Sequence, residues 1–378
     1  MKILCITNDF GPRTGGIETF VIGLIERMPK GSVIVYTSAQ DETEGYDRYW
    51  LENFGVEVIR DRAKILLPSP RVARNVNKLV RTRNIEKAFF GAAAPLGVLA
   101  KGLRRNGVKR IVALTHGHEV WWAKLWPFSV AISFIGKHVD HLTYLGNFTR
   151  TEISKALSTS AKNAMVKIAP GIDTSHFLPT TNASELRSQL GLADKKVIVS
   201  VGRLVHRKGQ DILIQALPEV LKAHPSAHLL LVGEGPYRQY LEKLVKELKV
   251  EAAITFIGRI QYRELPRYIC VGDIFVMPSR SRLAGLEVEG LGIVYLEASA
   301  CGLPVIAGKS GGAPDAVIEN KTGLSVDGTN PKEIAEAVCK LLSDTKLAKQ
   351  MGDEGRKWVV ENWRWAIWSD KFNKLLSR

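Results

Sequence analysis

The chain has 378 residues, enough for two complete hydrophobic cores, and its 45% hydrophobic and 24% charged residues are typical of a folded globular protein. No apolar run reaches the roughly 20 residues of a membrane-spanning helix. The first residues have the pattern of a strand and show no signal-peptide cleavage site, and the four cysteines form no C-x-x-C pair. We therefore expect buried free thiols in a reducing compartment, and disfavour the secreted, membrane-spanning, zinc-finger and disulfide-scaffold classes.

The formal net charge of +15 is concentrated in the first half of the chain. Residues 1–170 carry 25 basic and 14 acidic side chains, and the stretch 60–110 carries 14 basic residues against two acidic ones. A solvated helix face would explain part of this excess. Its one-sidedness nevertheless favours an anionic partner, and nucleic acid, an acidic lipid surface and a phosphorylated substrate all fit.

Short apolar segments typical of buried strands alternate with amphipathic, helix-like segments along the chain. After the first strand, which starts the chain, the first half predicts strands at 33–36, 56–59, 87–90, 111–114 and 142–144, and helices at 18–27, 71–81 and 96–105. After a polar, proline-containing stretch at 170–183, further strands are predicted at 197–201, 229–232, 255–257, 274–277 and 305–307.

This alternation predicts an α/β fold built from parallel βαβ units, with helices on both faces of each sheet. Its restart after residue 170 predicts two doubly wound, Rossmann-like domains facing across a cleft. We place the first domain at 1–170 and the second at 171–358. The tryptophan-rich helix at 359–378 is expected to pack back onto the first domain.

Two motifs of the first half follow predicted strands. Gly15 and Gly16 separate the first strand from a helix, where backbone amides can approach an anion; the pair lacks the G-x-G-x-x-G fingerprint and so argues against a nicotinamide cofactor. His116 and His118 lie at the carboxyl end of another strand. A hydrogen bond from one histidine to a substrate is favoured over a metal site, because no third ligand follows at a suitable spacing. Capping of the next helix is the structural alternative.

The motifs of the second half suit a nucleoside diphosphate. Arg203 and Lys208 follow a strand and can neutralise a diphosphate. Glu289 and Glu297 are eight residues apart, about two helical turns, which would direct both towards one ligand and offer a carboxylate to ribose hydroxyls. Residues 290–294 can present free amides at a helix start, and residues 308–315 form another glycine-rich loop.

Together, these residues resemble the retaining glycosyltransferases of family 4, which have the GT-B fold. The resemblance rests on Gly15-Gly16, the Arg203/Lys208 pair and the E-x7-E element Glu289/Glu297, and it covers nearly the whole chain. It is closer still to the actinobacterial phosphatidylinositol mannoside mannosyltransferases that add the second mannose. Its carrying segments are 7–10, 90–95, 115–120, 203–211, 287–297 and 304–315.

The resemblance implies a GDP-mannose donor held mainly by the second domain. Arg203 and Lys208 would bind the diphosphate, Glu297 the ribose, and Glu289 the donor sugar or a nearby phosphate. Further donor contacts would come from Gly16, which would touch the β-phosphate, and from the amides of Gly290, Leu291, Gly292 and Ile293. The catalytic set would be His116, Glu289 and Asp9, with Asn8, Arg13 and His118 on the acceptor side.

The implied acceptor is a phosphatidylinositol mannoside at the cytoplasmic face of the cell membrane. We expect transfer without metal or cofactor, because fixed cations and helix amides can stabilise the departing diphosphate. The basic stretch 60–110 would dock on the anionic membrane, together with the apolar residues 66–68, Trp121, Trp122 and Trp126. The alternative is that both apolar groups are core and that the charges only solvate a helix. The segment 282–287 and the Trp121-Trp122 pair depart from the family pattern beside the expected cleft, and bear on the identity of the acceptor.

Three alternatives stand beside this interpretation. A nucleic-acid-binding protein would explain the basic half, but no helix-turn-helix, zinc or RNA-binding signature is found, so no nucleic-acid partner is expected. A dinucleotide-dependent oxidoreductase would explain the fold but not the absent fingerprint. Another family 4 enzyme could use a UDP- or GDP-sugar and a different soluble or lipid acceptor.

Overall fold

The computed structural model describes residues 2–13, 15–180 and 183–377. Thr14 of the glycine loop, and Thr181 and Asn182 of the proline-containing stretch, lie outside the described residues. The chain divides into two compact units, Met1–Gly171 together with Trp365–Arg378, and Ile172–Arg364.

The first unit is a parallel sheet of seven strands in the order β3-β2-β1-β4-β5-β6-β7. Short helices connect the strands, as parallel pairing requires. The strands are β1 (Ile3–Ile6), β2 (Val33–Thr37), β3 (Glu57–Arg60), β4 (Lys87–Phe90), β5 (Arg110–Ala113), β6 (His141–Tyr144) and β7 (Val166–Lys167). The helices are α1 (Gly16–Ile25), α2 (Glu44–Phe54), α3 (Pro70–Thr82), α4 (Ala100–Arg105), α5 (Glu119–Lys124), α6 (Phe128–His138), α7 (Asn147–Ser154) and α8 (Thr159–Asn163).

Helix α3 illustrates how local sequence sets an element. The Ser69 side chain accepts a hydrogen bond from the Val72 amide at the helix start, and Pro70 occupies the first turn, where its missing N–H costs nothing. Val72, Val76 and Val80 recur every four residues and are buried against the sheet. The remaining face carries the basic side chains to solvent.

The second unit is a parallel sheet of six strands in the order β10-β9-β8-β11-β12-β13. Its strands are β8 (Lys196–Val201), β9 (Ala227–Val232), β10 (Ile254–Gly258), β11 (Ile274–Met277), β12 (Val305–Gly308) and β13 (Gly323–Val326). Its helices are α9 (Ala183–Gln189), α10 (Gln210–Ala223), α11 (Arg238–Leu248), α12 (Leu265–Ile269), α13 (Ile293–Ala300), α14 (Pro331–Ser343) and α15 (Thr345–Asn362).

The last helix, α16 (Trp365–Ser377), belongs to the first unit. Phe372 packs edge-on against Phe89 of β4 with ring centroids 5.2 Å apart, and the Arg27 guanidinium lies 4.6 Å from the Trp365 ring. Arg110 Nε donates to the Leu375 carbonyl at 2.6 Å. Aromatic packing and the hydrogen bonds of Arg110 and Asn373, the latter donating to the Arg27 carbonyl at 3.3 Å, therefore fix this helix to the first unit.

The predicted α/β class with two doubly wound parallel sheets is confirmed. Two of the predicted helices differ in detail. The helix expected at 96–105 is a 3₁₀ turn at Leu96–Leu99 followed by α4, and the chain from Trp358 onwards is interrupted between α15 and α16. Among the described helices, none combines the length and apolar character needed to cross a membrane.

Candidate active site

The carboxyl end of β1 carries Asn8, predicted on the acceptor side, and Asp9, predicted as catalytic. Asn8 pairs with the backbone of Leu66, accepting from its amide at 2.6 Å and donating to its carbonyl at 3.1 Å. The Asp9 amide donates to Thr7 Oγ1 at 2.8 Å. The Leu66 backbone therefore positions the Asn8 side chain, and the Asp9 carboxylate accepts a hydrogen bond from Thr7 Oγ1 at 3.5 Å.

Asp9 is part of an acidic group with one close cation. Arg13 Nε donates to Glu18 Oε1 at 2.8 Å, and another guanidinium nitrogen of Arg13 lies 3.9 Å from Asp9 Oδ1. Burial and the neighbouring Glu18 charge raise the pKa of Asp9 to about 6, although His118 and Arg13 oppose the shift. Asp9 therefore changes charge just below neutral pH.

Gly15 caps α1 in an extended conformation, and Gly16 is the first residue of that helix. A Cβ on Gly16 would meet no atom within 4 Å among the residues that the structure describes. Packing within the protein thus gives no reason for glycine at this position. The predicted phosphate contact of Gly16 would supply one, and it stays a prediction.

His116 is buried after β5, with its ring held by the backbone. Its Nε2 donates to the Gly91 carbonyl at 2.7 Å, and its ring meets Phe20 edge-on at 5.7 Å. Burial lowers the pKa of His116 against the opposing charge of Glu119, so the ring is neutral at pH 7. Because Nε2 carries the proton, Nδ1 is left as a hydrogen-bond acceptor.

Glu119 was not singled out by sequence reasoning, yet it organises both histidines. Its carboxylate is fully buried, and Oε2 accepts from the His116 amide at 2.7 Å. Oε1 lies 3.2 Å from His118 Nε2, and the two histidine rings stack with centroids 6.0 Å apart. The Thr115–Glu119 motif could have suggested this role, because a carboxylate three residues after a histidine can cap the turn between them.

In the second unit, the two predicted diphosphate ligands differ in environment. Arg203 is exposed, and its guanidinium makes no hydrogen bond or ion pair within the described ranges. Lys208 is 9% exposed and donates from Nζ to Glu289 Oε2 at 2.8 Å. The Arg203 guanidinium is therefore available to bind a ligand, whereas Lys208 already forms an ion pair with Glu289.

Glu289 is held by two cations. Besides Lys208, Arg207 donates to Glu289 Oε2 at 3.2 Å. Burial works to raise the pKa of the Glu289 carboxyl, but the charges of Lys208 and Arg207 outweigh it, and the pKa is lowered. Glu289 is therefore ionised at neutral pH. Arg207 was missed by the sequence analysis, which named its neighbour.

The pKa of Glu297 is shifted in the opposite direction to that of Glu289. It is 6% exposed, and burial raises its pKa to about 7 even though the nearby Lys208 charge works to lower it. The expectation that two helical turns separate Glu289 from Glu297 is wrong, because α13 begins only at Ile293. The turn at 290–292 connects Glu289 to α13, which carries Glu297. The charge of Lys208 acts on both carboxylates.

The turn before α13 presents backbone amides, as predicted for Gly290, Leu291, Gly292 and Ile293. Gly292 adopts φ +74°, and a Cβ there would lie 2.4 Å from the Tyr295 ring. The Gly312 amide donates to the Glu289 carbonyl at 2.7 Å, which joins this turn to the glycine-rich loop after β12. The four amides of 290–293 have no hydrogen-bond acceptor in the described part of the chain.

A second buried ion pair supports the Lys208 loop and was not predicted. Arg280 donates to both oxygens of Asp211, at 2.8 and 2.7 Å, and also contacts His206. The Arg280 amide donates to the Arg207 carbonyl at 2.8 Å. These residues are about 70 positions apart in the sequence, so no local spacing could have revealed the pair.

No group of three or more histidine, cysteine, aspartate or glutamate side chains suited to a metal ion is found among the described residues. The cations and amides around Lys208 are the groups available to a diphosphate in the second unit.

Comparison with known proteins gives a family match over residues 182–358, to the family described as Glycosyl transferases group 1. The chain is also 43% identical over 377 residues to the GDP-mannose-dependent alpha-(1-6)-phosphatidylinositol monomannoside mannosyltransferase of Mycolicibacterium smegmatis, covering 99% of this chain and 98% of the relative. The chain belongs to the group 1 glycosyltransferases. The family resemblance inferred from the E-x7-E element and its companions is thereby confirmed.

Further relatives extend this similarity. A GDP-mannose-dependent monoacylated alpha-(1-6)-phosphatidylinositol monomannoside mannosyltransferase of Corynebacterium glutamicum is 39% identical, covering 99% of this chain and 97% of the relative. The crystal structure of Anabaena HepE in complex with UDP superimposes with a TM-score of 0.84 at 20% identity and full coverage of both chains. Sucrose-phosphate synthase from Thermosynechococcus elongatus gives 0.80 at 22% identity, covering 99% of this chain and 98% of that structure. These two structures support the fold only.

Proposed function

We propose that this glycosyltransferase transfers mannose from GDP-mannose to a phosphatidylinositol mannoside lipid, with retention of the α configuration. The observation that carries the proposal is the 43% identity, over nearly the whole of both chains, to a GDP-mannose-dependent phosphatidylinositol monomannoside mannosyltransferase. The charge pattern around Lys208 supports it, because paired cations and free amides suit a nucleoside diphosphate.

In the proposed reaction, the second unit holds the donor. Arg203 and Lys208 bind the diphosphate, Glu297 accepts hydrogen bonds from the ribose, and the amides of 290–293 face phosphate oxygens. Glu289, whose ionised form is stabilised by Lys208 and Arg207, faces the sugar or the adjacent phosphate. Arrival of a diphosphate would let Lys208 exchange part of its contact with Glu289 for the ligand.

The first unit would supply Asp9, Asn8, Arg13 and His118 on the acceptor side and His116 at the donor sugar. The acceptor hydroxyl attacks the anomeric carbon from the face that the leaving diphosphate occupies. The bond from that carbon to the phosphate oxygen breaks, and the hydroxyl proton passes to a donor phosphate oxygen. Fixed cations and amides stabilise the charge on the departing GDP, so no step needs a bound metal. The Nδ1 acceptor of His116 suits a sugar hydroxyl.

The choice of donor tests this assignment. The purified protein is incubated with GDP-mannose, UDP-glucose or UDP-N-acetylglucosamine in the presence of phosphatidylinositol monomannoside, and nucleotide release is measured. We expect release of GDP from GDP-mannose to exceed release of UDP by at least tenfold. Preferential use of a UDP-sugar would instead favour another member of the family with a different donor.

The lipid acceptor implies contact with a membrane, and we propose peripheral docking of the first unit on the inner face of the cell membrane. Ile65 and Leu67 are 66% and 58% exposed, and Trp126 is 81% exposed. Leu66, expected among the inserting residues, is instead fully buried. Trp121 and Trp122 are half-buried against Phe128, so only Trp126 of the three tryptophans is free to enter an interface.

The basic side chains of α3 would supply the electrostatic part of this docking. Arg74, Lys78 and Arg81 are exposed. Arg71 is different, because it donates to both oxygens of the buried Asp61 at 2.8 and 2.7 Å. Reversing Arg71 would therefore damage the fold, and a clean test leaves it in place.

Sedimentation with vesicles tests the docking face. The protein should sediment with anionic phosphatidylinositol-containing vesicles, less so as salt is added, and not with neutral vesicles, since each basic residue near such a surface contributes about 1 kcal/mol. The triple change Arg74→Glu, Lys78→Glu and Arg81→Glu should abolish sedimentation. A control with the same charge change elsewhere, Lys222→Glu, Lys243→Glu and Lys332→Glu, should not. Equal binding to neutral vesicles would reject the electrostatic face.

A further inference from the structure

Two cysteines that are 31 positions apart in the sequence meet at the ends of neighbouring helices. Cys270 ends α12, with its amide donating to the Pro266 carbonyl at 2.9 Å, and Cys301 ends α13, with its amide donating to the Glu297 carbonyl at 3.0 Å. Each of the two thiols lies close enough to the other to shift its pKa. All four cysteines are free thiols, as expected, but Cys270 and Cys339 are only partly buried.

The segment 177–179 contacts the ends of both helices. Cys270 Sγ donates to the Leu178 carbonyl at 3.5 Å. A Cβ on Gly302, the residue after Cys301, would lie 3.3 Å from Pro179 Cγ. Arg356 donates to the Phe177 carbonyl at 3.2 Å and also to the Ala300 carbonyl. The same short segment thus contacts both cysteine neighbourhoods.

The two thiols differ in access and acidity. Cys270 is partly exposed, whereas Cys301 is 4% exposed. The neighbouring Cys301 thiol lowers the pKa of Cys270 despite burial, with help from the Thr180 backbone and the Arg356 charge. The same contact, together with burial, raises the pKa of Cys301. An accessible thiol with increased thiolate character beside a buried neutral thiol is the arrangement in which the first reacts and the second resolves.

We propose that Cys270 and Cys301 are an oxidation site at which a hydroperoxide closes a reversible intrachain disulfide. The Cys270 thiolate attacks the peroxide oxygen, giving a sulfenic acid and releasing hydroxide, or an alkoxide from an organic peroxide. Cys301 sulfur then attacks the Cys270 sulfur; the S–O bond breaks, the S–S bond forms, and the thiol proton leaves with the oxygen as water. The two sulfurs are oxidised by two electrons in total and the peroxide is reduced.

The other two cysteines provide the contrast. Cys5 is fully buried in β1, and burial raises its pKa. Cys339 lies in α14, and burial likewise raises its pKa. Neither has another cysteine as a partner in the described part of the chain. Both are expected to stay reduced under conditions that oxidise the pair.

Peroxide treatment of the full-length protein, followed by thiol counting and mass spectrometry, tests the proposal. Titratable thiols in the unfolded chain should fall from four to two and return to four with dithiothreitol. Trypsin digestion without reductant should yield the peptides 268–280 and 283–309 joined together. Cys339→Ser, the matched control, should form the same joined peptide.

Single variants separate the two roles. In Cys301→Ser, a sulfenic acid on Cys270 should persist and react with dimedone, whereas in Cys270→Ser the remaining thiols should resist the same peroxide dose. Circular dichroism checks that each variant is folded. Over-oxidation of Cys270 in the wild type without a joined peptide, or a joined peptide that contains Cys5 or Cys339, would overturn the proposal.

Discussion

Lys208 Nζ lies 2.8 Å from Glu289 Oε2, and both side chains are about nine-tenths buried. Removing one member of such a pair is costly, because it leaves an uncompensated buried charge. The charge of the same lysine also acts on Glu297, whose pKa burial nevertheless raises to about 7, while the pKa of Glu289 is lowered. The charge of one lysine thus acts on two carboxylates whose pKa values are shifted in opposite directions, and the proposed donor site uses all three groups.

The first prediction concerns the two proposed diphosphate ligands. Arg203→Ala and Lys208→Ala should each weaken GDP binding about ten- to a hundredfold, since a hydrogen bond to a charged group contributes roughly 1.5–3 kcal/mol. Arg203→Ala should leave the melting temperature unchanged because the side chain is exposed. Lys208→Ala should lower it, because Glu289 loses its closest partner. Titration calorimetry with GDP decides the matter, and unchanged affinity in both variants would refute the assignment.

The second prediction separates the two glutamates. Glu297→Ala should weaken GDP binding through loss of a ribose acceptor. Glu289→Ala should instead reduce turnover more than GDP affinity, since its removal frees Lys208 and Arg207 for an anionic ligand. GDP titration and steady-state kinetics on both variants, with Glu336→Ala as an exposed control, measure the difference. The reverse pattern would mean that the two roles are exchanged.

The residues that we propose for the donor site can be chosen from the sequence, but the contacts between them cannot. Arg203 and Lys208 are recognisable because they follow a strand, and Glu289 and Glu297 because they lie on either side of a helix start at a fixed spacing. The Lys208–Glu289 ion pair and the Arg280–Asp211 pair join residues about 80 and 70 positions apart, so they depend on how the strands are ordered in the sheet. Such contacts leave no local pattern.

The same limit applies to the fold. Apolar runs identify the central strands. The predicted bounds of these strands lie within two residues of the bounds in the structure. β13 was missed because its four residues begin with Gly323, where a Cβ would lie 2.1 Å from the Val305 carbonyl oxygen. β7 has only two residues. Edge strands with short or small-residue sequences carry too little hydrophobic pattern to be distinguished from loops.

The third prediction concerns His116 and uses two amide replacements. His116→Gln can keep the hydrogen bond to the Gly91 carbonyl because its amide nitrogen reaches the position of Nε2, but it loses the Nδ1 acceptor. His116→Asn places an amide near Nδ1 and loses the Gly91 bond. Both should retain GDP affinity, and His116→Gln should lower the turnover number sharply, as expected for a contact made in the transition state. His118→Ala should be milder. Wild-type turnover in His116→Gln would limit this histidine to a structural role.

The fourth prediction concerns pH. Because the pKa of Asp9 is raised to about 6, its carboxyl is neutral below that pH and ionised above it. If the carboxylate holds the acceptor, kcat/KM for the acceptor should rise as the pH increases through about 6. Asp9→Asn should have low activity without this rise. Glu18→Gln should move the rise to lower pH, since the Glu18 charge helps to raise the Asp9 pKa. A rise that persists unchanged in Asp9→Asn would assign it to another group.

Analysis of the lipid product tests the central claim most directly. The purified protein is incubated with GDP-mannose and phosphatidylinositol monomannoside, with and without a metal chelator, and the extracted lipid is examined by mass spectrometry and by digestion with an α-specific mannosidase. We predict a lipid that has gained one hexose, that α-mannosidase returns to the starting acceptor, and that forms equally with the chelator present. No lipid product, or a hexose resistant to α-mannosidase, would contradict the assignment of a retaining mannosyltransferase, and loss of product restored by Mg²⁺ would contradict its metal-free mechanism.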